Sequence, residues 1–223
     1  MDMKIIARIH TPFEEKFGIP RQSGLADNLS YIVFEPLFRN IEAVRGLEDF
    51  SHLWIIWQFS ESVRDSWSPT VRPPKLGGNK RMGVFATRSP FRPNPVGLSS
   101  VRLERVDTKC ENAPVLYVRG ADILDNTPVY DIKPYIAYTD CHFDAVCGFS
   151  QSPDIVMNIQ IPDELLEKLP EKYRSEVISI LSHDPRPGYI NDPDRVFYLK
   201  YGGYEIAFKI VDNCVTVVGV SKE

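Results

Sequence analysis

The sequence contains no run of about 18 apolar residues, so no segment is expected to cross a bilayer as a helix. Its opening, Met1-Asp2-Met3-Lys4, leads straight into a strand-like segment and carries no signal-peptide pattern, which makes the cytoplasm the expected location. Cysteine is scarce: Cys110, Cys141, Cys147 and Cys214 form no C-x-x-C pair, and Cys141 and Cys147 flank His142 at no zinc spacing. Reduced, structural thiols and no bound metal are therefore expected. Neither G-x-G-x-x-G nor G-x-x-x-x-G-K-[ST] occurs, which excludes the Rossmann and P-loop phosphate cradles. Net positive charge is also missing, since the formal charge is −4. A uniformly basic surface that coats RNA is thereby excluded, whereas a local basic face is not.

What is present is an ordinary soluble composition: 223 residues, 43% hydrophobic and 25% charged, enough for one large domain or one medium and one small. Residues 1–140 hold strand-like runs at 5–9, 31–34, 53–59, 84–86, 102–106, 115–119 and 130–135, and an apolar pattern resumes at Leu98, Val101 and Leu103. The run 53–59 is the most apolar and is expected to be a central strand buried on both faces. With short links and no long amphipathic helix, seven or eight strands predict a mainly β fold, a small closed or nearly closed barrel. Residues 141–154 read as a linker. Residues 155–223 predict a small α+β unit: a strand at 156–161, helices at 163–169 and 171–182, a hairpin of 196–201 with 204–211 across Gly202-Gly203, and a closing strand at 215–220. A stiff arginine loop, Asp184-Pro185-Arg186-Pro187, interrupts that unit.

The densest stretch is Val84-Phe85-Ala86-Thr87-Arg88-Ser89-Pro90-Phe91-Arg92-Pro93-Asn94-Pro95-Val96-Gly97-Leu98-Ser99. Pro90, Pro93 and Pro95 fix φ and remove donors, so the loop samples few conformers and loses little entropy on binding. It displays two guanidinium forks, two hydroxyls and an amide, an inventory suited to phosphate, carboxylate or a nucleobase edge. A second loop at 67–80 carries Arg72, Lys75 and Lys80, and positive charge concentrates between Arg64 and Arg105. An RNA partner would dock on this face, through Arg72, Lys80, Arg92, Asn94, Lys133 and Arg186. His52, at the start of the apolar run, is either a base or, as is more common for a histidine capping a buried strand, only hydrogen-bonded.

The proline-rich string resembles the signature of the TrmO (YaeB or TsaA-like) family of S-adenosylmethionine-dependent tRNA methyltransferases. The likeness extends in order through Lys16-Phe17-Gly18-Ile19-Pro20-Arg21-Gln22, Val44-Arg45-Gly46-Leu47-Glu48, Phe50-Ser51-His52-Leu53-Trp54, Pro69-Thr70-Val71-Arg72-Pro73-Pro74, Leu76-Gly77-Gly78-Asn79 and Asp131-Ile132-Lys133-Pro134-Tyr135. The Asp-Pro-Arg-Pro loop is similar to that of the longer, bacterial-type members. The resemblance implies a YaeB/TsaA-like barrel that holds S-adenosylmethionine with Gln22-Ser23-Gly24, Glu61-Ser62, Arg88, Leu98 and Asp122-Ile123-Leu124-Asp125. It also implies a homodimer with its pocket near the seam, acting on the anticodon stem-loop of tRNA. The acceptor would be N6 of threonylcarbamoyladenosine at position 37, with Asp131 and Asp125 as the available catalytic carboxylates. Ser23 stands where the family has proline, Asn126 where it has glycine, and Glu61-Ser62 departs from the pattern. A barrel that binds RNA or a nucleotide without catalysis, and a methyltransferase with another acceptor, remain the alternatives.

Overall fold

Side-chain alternation dictates the first half of the molecule. On β3 (His52–Gln58) Leu53, Ile55 and Trp57 turn inward and are buried, while Trp54, Ile56 and Gln58 are half-exposed. The expectation of burial on both faces is corrected: β3 is a wall of an antiparallel barrel, and such a wall has an outside. There Trp54 packs on Tyr135, with centroids 5.5 Å apart, and donates its indole N–H to Asp140 at 2.8 Å.

The computed structural model describes residues 2–151, 156–186, 190 and 192–223. Together with β1 (Ala7–His10), β2 (Leu29–Phe34), β6 (Val96–Asp107), β7 (Val115–Arg119) and β8 (Thr127–Pro134), β3 closes a six-stranded barrel in the order β1-β2-β7-β6-β3-β8. Two short strands, β4 (Thr70–Val71) and β5 (Met82–Gly83), pair with each other and tie down the base of the 67–80 loop. The segment expected as a strand at 84–86 is instead a single 3-10 turn. Only Val84 is buried; Phe85 is 70% exposed, and Thr87 N–H closes on the Val84 carbonyl at 3.2 Å rather than on a neighbouring strand. The apolar pattern resuming at Leu98 is likewise corrected. Gly97 and Ser99 take the inward positions of β6, so Leu98 points out and is 58% exposed. The same strand continues unbroken through 102–106, with a bulge against β7 between Leu103 and Arg105. Asn126 has φ 58, so asparagine occupies the left-handed position expected of it.

The second half is a four-stranded sheet ordered β10-β11-β12-β9, built from β9 (Asn158–Gln160), β10 (Phe197–Tyr201), β11 (Tyr204–Val211) and β12 (Cys214–Lys222). Gly202 and Gly203, at φ 60 and 79, make the tight turn that their sequence predicts. A one-turn helix α1 (Ala137–Asp140) follows the barrel, and α2 (Asp163–Leu166) is shorter than expected because Pro170 starts the next helix, α3 (Glu171–Ser182). The end of the linker stretch, 152–154, and Pro187 lie outside the described residues.

Two apolar clusters form. One fills the barrel; the other joins the four-stranded sheet to α3. Phe13 and Ala26, which flank a loop following β1, belong to the second cluster although they lie early in the chain.

The barrel interior is close-packed at one point in particular. A Cβ at Gly97 would sit 2.3 Å from Trp57 Cε2 and 2.6 Å from Cζ2. Overpacking of this kind costs about 1–3 kcal/mol. Gly97→Ala is expected to lower the urea midpoint accordingly without changing the slope, and an unchanged midpoint would show that the Trp57 ring is free to move aside.

Candidate functional site

A cavity of about 720 Å³ opens where the end of β3, the start of β6, the loop at 16–23 and the proline-rich loop meet. That size suits a nucleoside-sized ligand. Its floor follows from the barrel register. Trp57 donates its indole N–H to Ser99 Oγ at 2.9 Å, and the Ser99 hydroxyl donates to Asp122 Oδ1 at 2.5 Å. Burial raises the pKa of Asp122, while the Ser99 hydrogen bond, backbone hydrogen bonds and the positive charge of Arg88 act in the opposite direction. The result is a carboxylate held in one orientation and short of water, in a cavity also lined by Trp57, Phe59 and Leu98.

Loops supply the walls. Arg88 Nη1 donates to Gln22 Oε1, joining the proline-rich loop to the 16–23 loop across the opening. Ser23 Oγ accepts from Ser100 N–H at 3.2 Å, so serine gives a bond on β6 that proline could not accept through a side chain. Glu61 and Ser62 sit in a 3-10 turn after β3, where Lys16 Nζ donates to the Glu61 carbonyl at 2.9 Å.

Gln22, Ser23, Glu61, Ser62, Arg88, Leu98, Asp122 and Leu124 all line this cavity. Gly24, Ile123 and Asp125 do not. Gly24 braces the wall from behind, its N–H on the Gly120 carbonyl at 2.9 Å. Ile123 is buried in the barrel core, and Asp125 Oδ1 accepts from Thr11 N–H at 3.0 Å and pairs with His10 at 3.4 Å. Asp131 lies outside the lining, paired with Lys133 at 2.8 Å on the barrel exterior. Arg72 borders a second, shallower cavity with Pro74 and Gly77 to Asn79, and Lys80 and Asn94 are exposed. Arg92 both lines the main cavity and braces its own loop, donating to the Thr87 carbonyl at 2.7 Å and to the Val84 carbonyl at 3.2 Å. Arg186 pairs with Asp184 at 3.1 Å. His52 is exposed, its ring bonded to Ser51 Oγ at 2.9 Å, and lies outside the cavity lining.

Sequence reasoning missed Lys16, Trp54, Trp57, Phe59 and Ser99 as lining residues. One signal was available: Gly97 and Ser99 are small residues at alternate positions of a strand, and a small inward pair leaves room for whatever the opposite strand projects.

Comparison with known proteins places this architecture in company. A family model described as the tRNA-methyltransferase O N-terminal domain matches residues 8–141, and one described as the TrmO C-terminal domain matches 157–223. A tRNA (adenine(37)-N6)-methyltransferase of Eikenella corrodens is 45% identical over 172 residues, covering 77% of this chain and 97% of that protein. The protein of the same name from Escherichia coli is 44% identical over 194 residues, covering 82% and 81%. A Pseudomonas aeruginosa protein provisionally named an S-adenosylmethionine-dependent methyltransferase, RcsF, is 40% identical over 192 residues, covering 82% and 81%. A crystal structure of TrmO superposes with TM-score 0.80 at 30% identity, covering 99% of each chain.

The raised pKa of Asp122 makes a stability prediction of definite sign. Between its ordinary value near 3.8 and its raised folded value, the native state holds more protons than the unfolded state, so stability falls as pH rises through that window. Asp122→Asn lacks this fall. Denaturation midpoints of the two proteins are expected to diverge as pH rises above about 4, in favour of the variant. Parallel pH profiles would mean that the carboxylate is fully hydrated.

Proposed function

The chain belongs to the TrmO family, and on that premise we propose that it is an S-adenosylmethionine-dependent tRNA methyltransferase acting on N6 of adenosine 37. The observation that carries this reading is the polarity of the cavity. One lining contains a guanidinium that can pair with a carboxylate, Arg88, a poorly hydrated carboxylate that can face cationic groups, Asp122, and apolar surface from Trp57, Phe59 and Leu98 for a base. S-adenosylmethionine presents those three chemistries together, and when bound it supplies an activated methyl group.

What the chain contributes is positioning and exclusion of water. Arg88 and Gln22 fix the opening, and the Trp57–Ser99–Asp122 chain fixes the floor. We take threonylcarbamoyladenosine as the acceptor, giving its N6-methyl form. That nitrogen is urea-like and weakly nucleophilic, so a base or polarising contact helps. Asp131 suits this role from outside its own cavity lining, and Asp125, engaged with Thr11 and His10, suits it less. The anticodon stem-loop meets the exposed cations Arg72 and Lys80 with Asn94, while Lys133 and Arg186 must exchange their carboxylate partners for phosphate. We take its location to be the cytoplasm, where such a tRNA substrate is met.

A homodimer completes the proposal. Val63, Trp67, Phe85 and Leu98 are exposed apolar side chains on the proline-rich loop, the segments that flank it and the start of β6, and a two-fold seam there would bring a partner's Asp131 toward the cavity.

Arg88 is exposed and its loop is stiffened by three prolines, so Arg88→Ala is expected to remain folded yet lose S-adenosylmethionine affinity by at least about 30-fold in calorimetric titration. Near-normal affinity in that variant would exclude the cofactor assignment. Mass spectrometry of nucleosides from tRNA of a deletion strain, with and without the restored gene, identifies the acceptor.

Shared sites are tested by complementation. Arg88→Ala and Asp131→Ala proteins are each expected to be inactive, and their statistical mixture to recover about a quarter of wild-type activity, since half the dimers then hold one intact pocket. A monomer by light scattering, or no recovery despite proven subunit exchange, would exclude sharing.

A further inference from the structure

The loop that carries Gln22 and Ser23 to the cavity is anchored by apolar side chains outside the barrel. Among the described residues, Phe13, Phe17, Ile19 and Ala26 all pack in the second cluster, with the four-stranded sheet and α3. Phe13 meets Tyr201 edge-on at 5.4 Å, and Phe17 stacks on Phe197 and Phe208 at 6.3 and 6.4 Å. The approach is so close at Gly18 that a Cβ there would lie 2.1 Å from Leu199 Cδ1, at a φ of +88 that only glycine adopts without strain. The β10–β11 turn grips the same loop by its backbone. Gly202 N–H donates to the Pro12 carbonyl at 3.0 Å and Gly203 N–H to Glu14 at 2.8 Å.

A buried carboxylate fastens this assembly to the barrel. Glu176 of α3 accepts from Tyr201 O–H at 2.6 Å and from Leu29 N–H, at the start of β2, at 3.0 Å, and it lies 3.7 Å from Arg119 of β7. Three partners from two modules converge on one carboxylate, which is what its burial requires. The polar face of the loop looks the other way: Lys16, Arg21, Gln22 and Ser23 line the cavity, and Ile19 touches both sides.

We propose that the C-terminal module is a clamp on the cofactor loop. Phe17 and Glu176 are then positioning residues for methyl transfer, acting through Gln22 and Ser23 rather than on any substrate atom, and the barrel without the module lacks one wall of its cavity. This assignment rests on reading the cavity as the S-adenosylmethionine site, but the clamp itself is a property of the ligand-free chain and can be read without cofactor.

The test uses the full-length protein and compares Phe17→Ala and Glu176→Gln with wild type by amide hydrogen exchange and calorimetry. Exchange of the 14–24 amides is expected to speed up about tenfold or more while β3 and β6 stay protected, with S-adenosylmethionine affinity falling about tenfold and tRNA affinity unchanged. Phe17→Leu, which keeps apolar contact, is expected to restore both readouts, and it serves as the comparison if Phe17→Ala also loosens β3 and β6. Unchanged loop exchange overturns the clamp, and so does faster exchange with normal cofactor affinity or a loss confined to tRNA binding. Wild-type protein that binds no cofactor, with the variants still showing the exchange pattern, would sink the cofactor reading and leave the clamp standing.

Discussion

The register of β3 against β6 is the constraint on which the site depends. It sets Trp57 opposite Gly97 and Ile55 opposite Ser99. The indole fits only because the residue facing it has no side chain, and from there it reaches Ser99, which in turn orients Asp122. A slip of one residue would turn Trp57 out to solvent and leave Asp122 without its donor. Closure of the barrel protects against such a slip, because β3 is also bound on its other edge to β8, from Leu53 facing Pro134 to Trp57 facing Val129. Geometry at the floor of the cavity is thus fixed by long-range strand pairing, and the loops need only supply the rim.

Much of this was legible in the chain because strands with one buried face write their period into the sequence. Residues 115–119, 196–201 and 204–211 are placed on that signal, the second of them beginning one residue later in the structure, and the Gly202-Gly203 turn on its dipeptide. The failures have a common cause. Val84-Phe85-Ala86 and Leu98 were assigned by apolarity alone, and a run of three apolar residues carries no period. At β6 the inward positions belong to glycine and serine, residues that apolar patterning discounts, and the outward position belongs to leucine. Positions that break the pattern were the ones at the cavity, as expected where a strand must leave room for a ligand instead of filling the core. The proline-rich loop was legible for a different reason: three prolines and two arginines in nine residues have no use in a core. Ser99, Trp57 and Phe59 were not, since the alternation that makes a strand recognisable does not say which inward residue faces a void.

The charges read from the sequence behave less uniformly than their count suggests. Arg92 spends its guanidinium on carbonyls of its own loop, where it holds the curve that prolines alone leave open at Thr87. Lys133 and Arg186 each stand beside a carboxylate at about hydrogen-bond distance. Exposed pairs of this kind contribute little stability and exchange partners readily, so Lys133 can trade one anion for another at small cost. Arg186 is more buried, and its backbone carbonyl accepts from Arg21, which ties the Asp-Pro-Arg turn to the loop that lines the cavity. The same residue types therefore divide into braces and free contacts, a division set by the acceptors that folding brings within reach.

Floor and wall of the cavity consequently answer to different cores. The floor stands or falls with barrel closure, which brings together strands from residue 7 to residue 134 and opens only with the whole barrel. The wall at Gln22 and Ser23 is seated by aromatic contacts on a separate sheet, joined to the barrel chiefly through Glu176 and a few backbone bonds. Separate cooperative units of this kind open at different free energies. Opening of either unit disrupts the cavity, so ligand affinity reports the integrity of both cores. Binding of any ligand that touches both Gln22 and Asp122 must, by the same linkage, hold the two modules together.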